Sequence, residues 1–184
     1  KYVGGFTNRE LAEIYRTWNE GELHSYLIGI TADIFLEADD MADGDLIDHI
    51  LDSAGQKGTG RWASIEALRQ GVDISMITAA CNARIMSNHL ERRQKASSLI
   101  AAPVITAAGD KQAFTEMVRE ALYISKIIAY AQGFSLLQDA SRRFGWDLDL
   151  GSIASIFRAG CIIQAEFLND ITRAFLKAPD LESL

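Results

Sequence analysis

The sequence predicts an all-α protein, a long-helix domain with an internal duplication, and three observations carry that prediction. Apolar residues recur at helical spacing from one end of the chain to the other, cap and stop signals bracket those stretches, and no segment alternates apolar with polar residues as a half-buried strand would. With 184 residues the chain can bury the core of one compact domain. Residues 1–184 are therefore read as a single helical domain.

The first helix starts at Thr7-Asn8-Arg9-Glu10, where a threonine hydroxyl and a glutamate three residues later can cap free amides. Leu11, Ile14, Tyr15 and Trp18 follow at helical spacing. A second pattern, Leu23, Tyr26, Leu27, Ile30 and Ile34, runs up to an acidic segment, Glu37 to Asp45, that reads as a solvated loop. A short helix over Leu46 to Ser53 then leads into a Gly-rich turn. Trp62 to Gln70 follows, closed by Gly71, and after it one longer helix from Ile74 to Ile100 whose stripe includes Ile74, Ile77, Cys81 and Ile85. Pro103 marks the break. From Lys111 to Phe144 nothing stops a helix, and at ~1.5 Å per residue this rod spans ~50 Å, more than the width of a small domain. Such a rod calls for a packing partner. Gly145-Trp146-Asp147 ends it, and Leu150 to Leu176 supplies the last helical region before Pro179.

Two parts of this pattern match each other. Ala12, Ile14, Tyr15 and Arg16 recur as Ala154, Ile156, Phe157 and Arg158; after one deleted residue, Tyr26, Leu27, Ile30 and Thr31 recur as Phe167, Leu168, Ile171 and Thr172. The shared Arg and Thr positions favour duplication of a half-domain over chance amphipathic spacing. The second copy follows the long helix Lys111 to Phe144, whereas only Lys1 to Phe6 precede the first, so a matching long helix is expected upstream.

Composition narrows the function. Apolar residues make up 48% of the chain and Pro only 2 positions, which excludes a disordered or low-complexity protein. A formal charge of −7 and pI near 4.9 argue against a general phosphate-backbone binder, so no nucleic-acid partner is expected. Two cysteines, Cys81 and Cys161, are too few for a disulfide scaffold; they read as small core residues of a protein in a reducing compartment. The most apolar stretch, Ala121 to Leu137, is interrupted by Lys126 and Gln132 and is too short to span a bilayer. No membrane partner and a cytoplasmic location are expected. The first residue is Lys1 rather than Met, which points to a piece of something longer.

The segment richest in chemistry is Ala54-Gly55-Gln56-Lys57-Gly58-Thr59-Gly60-Arg61-Trp62. Gly55, Gly58 and Gly60 let the backbone take positive φ and bring amides close to a ligand, and the next helix, starting at Thr59 or Gly60, leaves its first amides unpaired. Lys57 and Arg61 add positive charge and Thr59 a hydroxyl, so a phosphate or carboxylate could be held there. A Gly-rich interhelix turn with solvated charges reads equally well. A nucleotide P-loop is excluded, because Arg61 and Trp62 stand where its Lys and Ser/Thr belong. Arg84, near the border of its helix's apolar stripe, needs an anionic ligand or an ion pair such as Glu91. His24, His49 and His89 show no metal-ligand spacing, and Met41 and Ile50 occupy places where a calcium loop would need oxygens. No nucleophile elbow announces a hydrolase.

Several segments, in order, resemble the C-terminal helical domain of the 6-phosphogluconate dehydrogenase family. They are Trp18-Asn19-Glu20-Gly21-Glu22-Leu23, Ile30-Thr31-Ala32-Asp33-Ile34, the run Ala54 to Trp62, Ala83-Arg84, Tyr130-Ala131-Gln132-Gly133-Phe134 and Gly160-Cys161-Ile162-Ile163. The likeness covers nearly the whole chain, and Gly-Gln-Lys-Gly-Thr-Gly is its most specific part. It implies a homodimeric enzyme that oxidises 6-phosphogluconate with NADP, without a metal, and releases carbon dioxide to give ribulose 5-phosphate. It also implies that the residues matching Lys57, Thr59 and Arg84 hold the substrate phosphate. No Gly-x-Gly-x-x-Gly fingerprint occurs in these residues, nor the family's helix with a Lys general base and Glu general acid, nor its C-terminal tail, so this piece alone should contain no catalytic residue. Arg61, Ala159 and Gln164 stand where the family has Lys, Gly and Arg. The competing expectation is a non-catalytic helical dimerisation module on the same fold.

Overall fold

The computed structural model describes residues 1–101 and 109–184, so the break expected at Pro103 lies outside the described residues. Eight α-helices occur among the described residues: α1 (Asn8–Asn19), α2 (Tyr26–Ile34), α3 (Thr59–Gln70), α4 (Ser75–Asn88), α5 (Leu90–Leu99), α6 (Lys111–Phe144), α7 (Leu150–Ile156) and α8 (Phe167–Lys177). Among those residues there is no strand. Two isolated bridges, Ser25 with Ala165 and Ala38 with Asp45, are the extended pairings.

Local chemistry sets most of the ends. The Thr7 hydroxyl accepts from the Glu10 amide at 3.2 Å, and the Glu10 carboxylate accepts from the Thr7 amide at 2.7 Å, closing the predicted capping box. The same carboxylate takes the Lys111 ammonium at 2.9 Å. The Thr7 amide and the lysine together lower the Glu10 pKa to about 2. Ser25, Asp110 and Asp149 cap α2, α6 and α7, and Gly145 at φ 63° ends the 34-residue α6 where the sequence placed its stop.

Three predicted elements differ. Leu46 to Ser53 is not a helix: only a 3₁₀ turn forms at Leu46–Asp48, because Ile50 and Leu51 remain exposed and no apolar face rewards helix nucleation. The acidic segment before it is tethered as well as solvated, since the buried Asn8 amide donates to Asp45 at 2.7 Å and to Asp48 at 2.8 Å. The single helix expected over Ile74 to Ile100 breaks at His89 into α4 and α5. There the Arg93 guanidinium donates to the Ser87 carbonyl at 3.0 Å and to Asp52, bonds that a continuous helix would not offer. The last region splits into α7 and α8, because Tyr26 donates to the Gln164 carbonyl and Glu166 to the His24 carbonyl, both at 3.1 Å, and Gly160 turns at φ 66°.

The duplication is visible in space. α1 packs on α2 and α7 on α8. Ala12 and Ala154 are both fully buried, and the matched threonines make the same bond: Thr31 to the Leu27 carbonyl at 2.6 Å, Thr172 to the Leu168 carbonyl at 2.7 Å. α6 joins the two pairs. Its N-terminal half meets the first through Lys111 with Glu10 and Arg119 with Glu22, while Phe134 enters the core of the second with Leu150, Ala154, Leu168, Ile171 and Phe175.

Candidate functional site

The Gly-rich segment forms the approach to α3. Gly58 sits in the left-handed region at φ 101°, no side chain caps the helix, and the first helical bond runs from the Trp62 amide to the Gly58 carbonyl at 3.0 Å. The amides of Thr59, Gly60 and Arg61 therefore have no bonding partner among the described residues and face out of the helix end. Lys57, Thr59 and Arg61 are all exposed around that end. Lys57 enters no ion pair among the described residues.

Arg84, on α4, is brought to this loop: its guanidinium donates to the Gly55 carbonyl, 29 residues away in sequence. The ion pair with Glu91 that competed for it is not formed among the described residues. Arg84 is exposed, so it does not need an anion to offset burial; what matters is its placement on the loop. The three glycines serve different ends, against the expectation that all three supply positive φ. Gly58 does. Gly60 gives space: a Cβ there would lie 2.4 Å from the Cys81 sulfur, so the thiol or the helix pair would have to shift to admit one. Gly55 contributes its carbonyl to Arg84.

A polar scaffold that the sequence did not disclose holds the loop. Ser53 donates to the Asn88 side chain at 3.0 Å, the Ala54 amide to the Ser87 hydroxyl at 3.1 Å, and Arg93 to Asp52 at 2.8 Å. The run Ser87-Asn88-His89, polar inside an otherwise helical pattern, was the available signal. At the other end of α4 the buried Gln132 of α6 accepts the Met76 amide at 2.9 Å and donates to Asp73 and Ser75, both at 3.1 Å. It fixes the start of the helix that presents Arg84, and its signal was a polar residue within the most apolar run. His24 and His49 fill pairing roles, His24 on the Asn19 carbonyl at 2.7 Å and His49 beside Asp39 at 3.9 Å.

Around this one loop lie uncapped amides, the guanidiniums of Arg61 and Arg84, the Lys57 ammonium and the Thr59 hydroxyl, groups of the kind that bind compact anions. A family description, "6-phosphogluconate dehydrogenase, C-terminal domain", matches residues 1–184. The chain belongs to that family. Among 6-phosphogluconate dehydrogenases, the decarboxylating enzyme of Lactococcus lactis subsp. lactis is 50% identical over 184 residues, 100% of this chain and 39% of that protein. The Escherichia coli enzyme is 51% identical over 179 residues, 97% of this chain and 38% of its own length. The solved structure of the Plasmodium falciparum 6-phosphogluconate dehydrogenase, described as apo, with its cofactor NADP+ and with its substrate 6-phosphogluconate, superposes with a TM-score of 0.92 at 43% identity, covering 97% of this chain and 38% of that one. The chain thus spans about two-fifths of the 6-phosphogluconate dehydrogenases it matches. No helix among the described residues is long and apolar enough to cross a membrane.

Proposed function

We propose that this chain is the substrate-phosphate-binding and dimerisation part of a 6-phosphogluconate dehydrogenase, and that the whole protein oxidatively decarboxylates 6-phosphogluconate to ribulose 5-phosphate. The observation that carries the reading is Arg84 seated on the Gly55 carbonyl beside the uncapped start of α3. In it, Lys57 and Arg84 offset the charge of the phosphate, the Thr59 hydroxyl and the α3 amides donate to its oxygens, and the loop is shaped by the left-handed turn at Gly58, the Gly55 carbonyl that seats Arg84 and the close approach at Gly60. Binding at the phosphate end orients the distant reacting carbons and lowers the entropic part of the barrier. NADP supplies the hydride acceptor and is bound by a preceding domain, outside residues 1–184, so this chain by itself does not turn over substrate.

The test is made on the full-length enzyme, by following carbon dioxide release and NADP reduction with 6-phosphogluconate. Lys57→Ala and Arg84→Ala should each raise KM at least about tenfold, the loss of one charge-assisted contact, with a smaller change in kcat. Unchanged KM in both variants overturns the phosphate site. A full-length chain without dinucleotide-binding glycines upstream, and without turnover, would replace the enzyme by a non-catalytic dimerisation module.

A further inference from the structure

From Leu51 to Arg61 only Gly58 is buried, so apolar packing does not fix the path of the chain into α3. Hydrogen bonds fix it, and they form a ladder. Asp52 accepts the Arg93 guanidinium at 2.8 Å on its carboxylate and at 2.6 Å on its carbonyl. Ser53 donates to the Asn88 side chain at 3.0 Å, the Ala54 amide donates to the Ser87 hydroxyl at 3.1 Å, and the Gly55 carbonyl accepts from Arg84. Consecutive residues of the loop thus meet residues taken in descending order along α5 and α4.

The two ends of the ladder differ. The Arg84 end belongs to the anion site. The Arg93 end lies on α5, which has no buried residue and packs extensively on no other helix. Among the described residues, no other α5 side chain bonds outside α5. The Arg93 guanidinium also donates to the Ser87 carbonyl at 3.0 Å, and the Ser87 hydroxyl donates to the Arg84 carbonyl at 2.8 Å. Arg93 therefore clamps both sides at once: Asp52 on the loop, and the last turn of α4, which carries Arg84. The break at His89 makes this contact possible. On an unbroken helix, residues six apart stand about 9 Å apart along the axis and on different faces.

We infer that Arg93 is a positioning residue for the phosphate site: by holding Asp52 and the Ser87 carbonyl together, it sets the register in which Gly55 receives Arg84 and from which the loop presents Lys57 and Thr59. The inference rests on the phosphate reading of those three residues and adds the group that keeps them in place. Arg93 does not touch the anion. Its effect passes along the ladder, and it favours binding because a loop fixed beforehand has less freedom to lose when the anion arrives. Charge separates this role from simple attraction. As bare charges, Arg93 would favour an anion and Asp52 would oppose it; as the two halves of a clamp, both favour it.

Steady-state kinetics of the full-length enzyme test it. Arg93→Met should raise KM for 6-phosphogluconate about tenfold, with smaller changes in kcat and in KM for NADP, the pattern of a displaced substrate-binding group. Equal rises in both KM values, the mark of a general loosening, overturn the inference. Asp52→Ala removes a negative charge and should still raise KM for 6-phosphogluconate about threefold; a fall shows attraction rather than placement and overturns it. Ser87→Ala alters no charge and should raise the same KM about threefold, and an unchanged value overturns it. Should Arg93→Met not fold, these two variants decide. In an Arg84→Ala background, Arg93→Met should add much less than it does alone; full multiplication of the two effects overturns the inference. If Lys57→Ala and Arg84→Ala raise KM and Arg93→Met does not, this inference alone fails. If none of the three raises KM, the phosphate reading fails and this inference with it.

Discussion

The two copies of the duplicated unit carry the same pattern and meet different surroundings. Leu27 and Leu168 are matched positions, as are Ile34 and Phe175. Leu27 is 43% exposed and Ile34 41%, whereas Leu168 is 0% exposed and Phe175 5%. The difference is α6: Phe134 lies 5.4 Å, ring to ring, from Phe175 and closes the second copy, while nothing among the described residues stands in that place over the first. An apolar stripe therefore specifies which face of a helix seeks cover. Whether the face is buried depends on a neighbour that the stripe does not encode.

The largest test of this contrast is truncation of the matched leucines. Leu168→Ala should cost about 2–5 kcal/mol in urea unfolding of residues 1–184, the usual price of a cavity in a closed core. Leu27→Ala should cost about 1 kcal/mol or less, since much of its side chain is already in water. Equal costs would break the comparison. A Leu27→Ala cost that climbs toward the Leu168→Ala value in the full-length protein would sharpen it.

A smaller effect is expected between the copies, where α3 meets α4. Gly60→Ala should destabilise by about 1–3 kcal/mol through its clash with Cys81, and Cys81→Ala should recover most of that loss. Additive losses in the double variant would show that the contact is not the cause. The smallest effect concerns the caps. The Glu10 pKa is lowered from 4.5 to about 2, so its contribution to stability is present above pH 4.5 and is lost as pH falls toward 2. Asp149, lowered by the Ser152 hydroxyl and amide, acts with the same sign in the second copy. Acid titration of Tm should flatten over this range in Glu10→Gln, and an unaltered slope would remove Glu10 from the account.

Much of the fold was legible because helix ends are short-range events. The Thr7 and Glu10 box, the stops at Gly71 and Gly145 and the uninterrupted α6 each depend on residues a few positions apart. The site was legible in part: the run Gly55 to Gly60 and Arg84 stood out by residue type, whereas Ser53, Ser87, Asn88 and Gln132 did not, since their partners lie 33 to 59 residues away. The helix break at His89 is not written in its own segment for a related reason, as Arg93 finds its acceptor in Asp52.

The order of residues alone determined the helical class, the faces of the helices, the duplication and the charged glycine loop, because spacing and capping act through backbone geometry that each segment carries with it. Only the tertiary structure decided that Arg84 rests on Gly55, that Gly60 exists to admit the Cys81 sulfur, and that one copy is closed while the other stays open. Those outcomes depend on which distant surfaces meet, and close packing makes such meetings sensitive to single atoms that no local pattern records.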